Sequence, residues 1–438
     1  MPKKQKILFV SRELIAGDLA YQLKKEGHNV KLFIENKAYK DCFNGIVDKV
    51  DDWKRELKWV GKNGLVIFDD VGYGKIQDAL REKGYLVIGG SHDGDRLELD
   101  REYGQDILKA CGVDAFDFVT KSFGVDVAIS FLKKHKGIWA LKKNNHDESL
   151  TYIGEADDGA DLISVLQNYK MHTNGSYRYS LQKRVFGIEI AVGRFFNGYD
   201  WVGPLVFNIE HKHFGNDDVG PLGGETGTLM WYENDENKKL FQKTLAKLKP
   251  HLQKSGYRGY VDINCIVADR DTVYPLEITS RFGSSTNELQ SEMHKSPWGD
   301  FLVAVAKGKS YNLKYKRGFG INVALTVPPF PYITSDKNLS QKGVNFFFKK
   351  GFTKENLSHI HFEEVMIEKK RGQDNYYIAG NTGYVLYVTG CGSTVRKARE
   401  KVYKIIEKIV IPKVFYRTDI GLRFVRKDHK FLRKWGWI

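Results

Sequence analysis

The chain has 438 residues, 42% hydrophobic and 28% charged, with 26 Phe, 23 Tyr and 8 Trp. That is material for about two to four packed domains, and it excludes a disordered chain. Four cysteines (Cys42, Cys111, Cys265, Cys391) without CxxC or Cys/His spacing exclude a disulfide framework and a zinc site. No run reaches the ~18 apolar residues of a spanning helix, and the opening MPKKQKILFVSREL is too soon broken for a signal peptide. A cytoplasmic protein without a membrane segment is expected. Lys and Arg outnumber Asp and Glu by 69 to 54, a net +15 that suits anionic partners, nucleic acid among them, or lysines spread for solubility.

From residue 5 to 99 the apolar runs KILFV, VKLFI, GLVIF and YLVIG alternate with amphipathic segments at 17–25 and 73–83, the pattern of parallel strands joined by helices. Asp69 and Asp70 end the third of these strands, where open α/β sheets place ligands. A helix is predicted over 100–111, stopped by Gly112. Strands follow at DFVTK, GIWALKK, YSLQKRV and EIAVGRFF, with helices at 125–134 and 158–169. WVGPLVFNIEHK reads as a strand, 238–254 as a helix, YVDINCIV and TVYPLEIT as a strand pair, and 296–307 as a helix. From 318 come the strands INVALTV, EVMIEKK, YYIAG and YVLYVTGCG and a helix over 394–409. The expected class is α/β and α+β. It comprises an N-terminal parallel-sheet domain at 1–99, a two-lobed region at 100–317 with one lobe at about 113–200, a small C-terminal α+β domain at 318–425, and a basic tail at 426–438. The run RFVRKDHKFLR within that end reads either as phosphate-contacting or as an amphipathic tail packed on the body.

The strongest chemical signal is YVDINCIVADRDTVYPLEITSRFG. Alternate strand residues share a face, so Asp262 with Asn264, and Glu277 with Thr279, point the same way and can bring four oxygen-bearing side chains together across a hairpin. A hard cation such as Mg²⁺, with Mn²⁺ as an alternative, takes such oxygens together with nucleotide phosphates. The competing reading is a polar, solvated hairpin face. Arg281 follows in a Gly-containing turn, suited to phosphate by its planar fork or to a surface ion pair. Lys142 ends an apolar strand, so its ammonium emerges at a cleft, whereas Lys143 points to the opposite face. Gln182, Lys183, Arg184 and Val185 form an edge segment able to offer backbone groups to an adenine, and Glu189 follows a turn at Gly187, placed for ribose hydroxyls.

Strand lysine, hinge with G-x-E, and hairpin with E-x-[N/T]-x-R-F-G, in that order, resemble the ATP-grasp superfamily. IEHKHFGNDDVGPLGGETG, YPLEITSRFG and NTGYVLYVTGCGSTVRKAREKVYKIIEKI with FYRTDIGLRF resemble the glycinamide ribonucleotide synthetase (phosphoribosylamine–glycine ligase) family over roughly residues 90–425. The resemblance implies a pre-ATP-grasp N-terminal domain, a two-lobed ATP-grasp region, and ATP with Mg²⁺ as cofactors. It gives Arg101 and Lys142 as nucleotide cations, Gln182 to Val185 as the adenine hinge, Glu189 at ribose, Glu277 as metal ligand and Arg281 at the triphosphate. His211, Lys212, Gly220, Pro221, Gly223 and Gly224 fall on the loops facing a glycine-like amino acid and an amine acceptor. The implied reaction is amide formation through an acyl phosphate, in purine biosynthesis or on a related amine, by a monomer or dimer.

Three departures mark the acceptor end. FVSRELIAGDLAYQL, with Arg12, replaces the family's Gly-rich phosphate loop; Phe68-Asp69-Asp70 replaces its G-P-E; and NNHDESLTYIG replaces its glycine-rich flap. In the metal motif Thr279 stands for Asn. A rebuilt acceptor pocket is therefore expected, with a different nucleotide or nucleic-acid-linked amine as substrate. The alternative from another class is a nucleotide- or nucleic-acid-binding homologue without turnover.

Overall fold

The computed structural model describes residues 4–114, 124–143, 151–173, 179–332, 336 and 338–438. The predicted strand DFVTK and most of NNHDESLTYIG lie outside them.

Apolar runs buried on both faces build the first sheet. Its five parallel strands are ordered Asp48–Lys49, Asn29–Ile34, Lys6–Ser11, Leu65–Phe68, Leu86–Ile88, and Ile7 through Val10 and Leu65 through Phe68 are all fully buried. Helices Gly17–Lys25 and Gly74–Glu82 fall where the sequence places them. The helix His92–Leu99 was not expected, because its stripe is short and polar; the Ser91 hydroxyl starts it by accepting from Gly94 N at 3.1 Å. Asp100 caps the next helix, Arg101–Ala110, in the same way from Tyr103 N.

The main sheet has eight antiparallel strands, ordered Val273–Thr279, Arg258–Val267, Ile188–Asn197, Trp201–His213, Leu222–Glu233, Phe319–Thr326, Tyr384–Gly392, Ile360–Phe362. Leu222–Glu233 was missed, since LGGETG reads as a loop; pairing with strands on both sides holds this glycine-rich segment extended. The sheet continues across position 317, because Phe319–Thr326 joins Leu222–Glu233 to Tyr384–Gly392. Beside it lies a four-stranded sheet of Val365–Lys370, Gln373–Ile378, Asn345–Phe348 and Ile409–Val410.

A separate lobe carries three strands, Tyr152–Ile153, Trp139–Lys143 and Tyr179–Lys183, covered by helices Val125–Lys134 and Ala160–Thr173. It has its own core, including Leu132, Leu141, Leu166 and Leu181. The single helix expected over 238–254 is instead three pieces, Lys239–Lys243, Leu245–Leu248 and Lys249–Lys254. Thr244 leaves helical geometry (φ −128°, ψ −93°) and Pro250, lacking an N–H, starts the last piece. At the C-terminus Leu432 and Trp437 are fully buried and the Trp437 indole donates to Asp269 O at 2.7 Å, so the tail packs on the body while Arg426, Lys427 and Lys430 face solvent.

Buried charge ties the N-terminal domain to the rest. The Glu26 carboxylate accepts from Trp298 N (2.6 Å) and Gly299 N (2.9 Å), capping helix Trp298–Ala306 at its positive end. Asp18, fully buried, meets His361 Nδ1 at 2.6 Å and accepts from Phe362 N at 3.2 Å. Despite burial, His361 holds Asp18 below the ordinary carboxyl range, and Asp18 raises His361 in return. A raised histidine stabilises fully below its ordinary 6.5, and that contribution fades as pH climbs through the raised value. A lowered aspartate stabilises above 3.8 and loses its contribution as pH falls through the lowered value. Asp18→Asn should therefore cost about 3 kcal/mol in urea unfolding near pH 5.5, and clearly less near pH 9. An equal cost at both would show that the pair's charge is irrelevant to stability.

Candidate active site

Register brings the polar hairpin residues together as alternation demands. Asp262 lies opposite Thr279 and Asn264 opposite Glu277, so all four share a face. On the next strands Glu189, Glu210 and Lys212 join them. The Lys212 ammonium sits among three carboxylates, 3.0 Å from Glu189 Oε1, 3.2 Å from Glu277 Oε1 and 3.4 Å from Glu210 Oε2. Asn264 Nδ2 donates to Glu210 Oε2 at 2.9 Å.

This face floors a cavity of about 820 Å³. The small lobe supplies its roof: Lys142, in the strand Trp139–Lys143, points inward, and Gln182, Lys183, Arg184 and Val185 run along the rim. Arg184 is fastened to the lobe by donating to Gly154 O at 2.8 Å, and Gln182 is buried. Arg101, first residue of its helix, reaches Leu276 O (3.3 Å) and Glu277 Oε2 (3.5 Å). Burial, reinforced by Arg101 and Lys212, pushes the Lys142 ammonium down to about 8. Conversely Lys212, with Lys142 and Arg101, holds the Glu277 carboxyl far below its usual range against the cost of burial. Arg281 lines the cavity with its Nε donating to Glu98 Oε1 at 3.0 Å, and burial does not overcome Glu98 and Asp70, which raise it.

The predicted metal set is brought together in part. Among the described residues no group of three or more His, Cys, Asp or Glu is arranged to hold a metal unaided. Glu277 and Asn264 present hard oxygens to the cavity, and Asp262, buried, keeps Oδ1 without a hydrogen-bond partner. Oxygen donors of this kind suit a magnesium ion that also binds phosphate oxygens, and Mn²⁺ equally. Burial and the nearby Glu210 raise Asp262 well above the carboxyl range, which favours Glu277 over it as the ligating carboxylate.

Of the loop residues, His211, Lys212 and Gly224 line the cavity, whereas Gly220, Pro221 and Gly223 do not. His211 Nε2 accepts from Gly421 N at 3.1 Å, so its role is to hold the loop. Gly223 is required by contact, since a Cβ there would stand 2.7 Å from the Phe330 ring. Gly224 is required by its φ of +72°. Arg417, 1% exposed, locks the same loop through Asp218 (2.9 Å) and Asp419 (2.7 Å).

The N-terminal residues expected at substrate lie elsewhere. Asp69 is fully buried and its Oδ2 accepts from Ser11 Oγ at 2.8 Å and Ala16 N at 3.0 Å; burial and Asp70 raise it to about 7. Asp70 turns onto Val71 N at 2.8 Å. Arg12 stacks over Tyr73 at 5.1 Å and faces Glu35 at 3.7 Å. None of the three lines the cavity; Glu13, Leu14 and Ile15 do.

Four acids were missed. Glu210 was legible, alternating with Lys212 in EHK. Glu225, bonded to Ser285 and raised far above its range by burial and Glu210, lies in the unpredicted strand. Glu98, partner of Arg281, belongs to the unpredicted helix, and Glu363 precedes the strand Val365–Lys370.

Residues 350–423 match the family model for the phosphoribosylglycinamide synthetase C domain. Phosphoribosylamine–glycine ligase of Helicobacter pylori is 24% identical over 361 residues, covering 80% of this chain and 79% of its own length; that of Mycobacterium tuberculosis is 23% identical over 368. The crystal structure of the Thermotoga maritima phosphoribosylamine–glycine ligase superposes with a TM-score of 0.70 at 20% identity, covering 95% of this chain and all of that one. The C-terminal part of the chain thus matches the phosphoribosylglycinamide synthetase C domain, and the chain as a whole is similar to phosphoribosylamine–glycine ligases in sequence and fold. Biotin carboxylase of Campylobacter jejuni, at TM-score 0.63 and 14% identity over 99% of each chain, shares the fold.

Lys212 is the counter-charge to the three carboxylates around it. Lys212→Met leaves Glu189, Glu210 and Glu277 facing one another, and should cost about 1–3 kcal/mol of stability because the groups are only partly buried. Millimolar Mg²⁺ should restore part of the loss in thermal unfolding of the variant while leaving the parent nearly unchanged. No Mg²⁺ effect on the variant would mean that these carboxylates do not share a cation position.

Proposed function

We propose that the protein is an ATP-dependent carbon–nitrogen ligase of the phosphoribosylamine–glycine ligase type, joining a carboxylate to an amine through an acyl phosphate and releasing ADP and phosphate. The observation that carries this reading is the convergence of Lys142, Arg101 and Arg281 with the Glu277–Asn264 hairpin face around one cavity.

The residues divide the work by position. Gln182 to Val185 offer an edge for the adenine, and the Glu189 carboxylate stands where it would accept from ribose hydroxyls. Lys142 and Arg101 bind phosphate oxygens; Lys142, desolvated, interacts with such oxygens more strongly than an ammonium in water. Glu277, with Asn264, would hold Mg²⁺, which when bound neutralises phosphate charge and polarises the γ-phosphoryl group. Arg281, fixed by Glu98 rather than free to swing, presents a preset guanidinium to charge that develops on the transferred phosphoryl group. The substrate carboxylate attacks the γ-phosphorus and ADP leaves. The amine nitrogen then attacks the acyl carbon, the C–O bond to phosphate breaks, and the amine's proton passes to solvent or a cavity carboxylate. Two finer points belong to this reading: the amine differs from that of the relatives, and the nucleotide end is retained while the acceptor end is rebuilt.

Glu277→Gln tests the assignment. It should abolish Mg²⁺-dependent ADP formation, by about 10²-fold or more, while nucleotide still binds in a fluorescence titration. Unchanged turnover would remove Glu277 from the metal site and the reading with it. Since Lys142 loses its proton near pH 8, ATP affinity should fall as pH rises past that value, and Lys142→Arg should flatten the profile. A parent profile flat from about pH 7 to 9.5 would show that the Lys142 charge does not hold phosphate.

A further inference from the structure

The cavity runs against the charge of the chain. With a net +15 overall, its described lining holds twelve carboxylates and seven Lys or Arg. Three of the cations, Lys142, Lys183 and Arg184, come from the small lobe. At the opposite end, between the N-terminal domain and the C-terminal strands, stand Glu13, Glu225, Glu363 and Glu364 with the rings of Tyr39 and Tyr387.

Two observations independent of that tally concern what this end accepts. First, the helix start that could hold a phosphate is already filled. The Asp69 carboxylate takes Ser11 Oγ and Ala16 N, Ser11 Oγ takes Leu14 N, and Arg12 is engaged with Glu35 and Tyr73. Second, Asp262, 3% exposed and lining the cavity, and Glu363 each keep a buried carboxylate oxygen without a hydrogen-bond donor. The charges that most affect Glu363 are Glu288, Asp18, Glu364 and Asp69, all acids. A buried acceptor without a donor costs free energy until a donor arrives, and a protonated amine is the donor that also supplies the missing charge.

Resting on the ligase reading of this site, we propose that the acceptor is an unphosphorylated, cationic amine: a diamine or guanidino amine whose second, protonated group lies against Glu13 and Glu363 while its neutral nitrogen attacks the acyl phosphate. Amide formation consumes one nitrogen lone pair, expels phosphate and releases one proton; the distal cation stays charged throughout. The aromatic rings of Tyr39 and Tyr387 flank the methylene spacer such an amine contains.

The test uses the full chain, saturated with MgADP and glycine so that the other ends of the cavity are filled, with putrescine and inorganic phosphate as calorimetric probes. Putrescine should bind and phosphate should not compete with it. Glu363→Gln and Glu13→Gln should each weaken putrescine about tenfold while nucleotide affinity and melting temperature stay near the parent's. In parallel, ADP release is measured with ATP, glycine and either putrescine, agmatine or phosphoribosylamine. Turnover with the diamines supports both readings. Turnover with phosphoribosylamine alone overturns the cationic acceptor and leaves the ligase standing. Putrescine binding that depends on Glu363 without ADP from any amine keeps the cation site and overturns the ligase. Absence of putrescine binding, or binding indifferent to both substitutions, overturns the inference outright.

Discussion

Three acids, two from interior strands of the central sheet and one from its edge hairpin, could not share a face without the ammonium of Lys212. It lies within 3.4 Å of Glu189, Glu210 and Glu277, and opposite charges at that distance attract by several kcal/mol even at an intermediate effective dielectric. Everything nearby answers to this contact. Glu277 stays ionised because Lys212 faces it, Lys142 is destabilised as a cation because Lys212 and Arg101 are close, and Glu210 is pinned by Asn264 from the far side. The result is a set of charges fixed before any ligand arrives, which is the condition under which polar groups stabilise a phosphoryl transition state without reorganising.

Period-two alternation made this face readable from sequence. Asp262, Asn264, Glu277 and Thr279 needed only the hairpin register, and the register is antiparallel and in phase at both pairs. What alternation cannot give is which strands become neighbours. Glu189 and Glu277 lie on strands separated by Arg258–Val267 in the sheet order, and Lys212 crosses that width with its four-carbon stem. Long-range pairing also explains the missed strand Leu222–Glu233. Its glycines carry no local preference for extension, and only the flanking strands confer it. The broken helix at 238–254 failed for the opposite reason: Pro250 and Thr244 were visible, but the apolar spacing of Leu240, Leu245, Leu248 and Leu252 outweighed them in the pattern.

The N-terminal domain shows how one substitution class is read differently once the contacts are known. From sequence, Asp69 and Asp70 are carboxylates at the ligand end of a parallel sheet, and repulsion of an anionic substrate is the natural expectation. In the fold Asp69 does not face substrate; it receives the Ser11 hydroxyl and the Ala16 amide and thereby fixes the loop that carries Glu13 to the cavity. An internal carboxylate in the position of an anion turns the helix start into a structural joint, and the loop's exposed acid, Glu13, is what lines the cavity.

Net charge misleads for a related reason. The excess of Lys and Arg is a property of the whole surface, and a protein surface is dominated by long solvated side chains. The cavity is built instead from strand positions facing inward, where residues are chosen by neighbours. There several cations are matched: Arg281 by Glu98, and Arg101 and Lys212 by Glu277. Once such pairs are formed, the field at a ligand is set by what remains unmatched, and that remainder includes the Lys142 ammonium at one end and the buried oxygens of Asp262 and Glu363. A pocket's preference follows from its unpaired groups, and neither the sign of the chain nor the number of charges around the rim determines it.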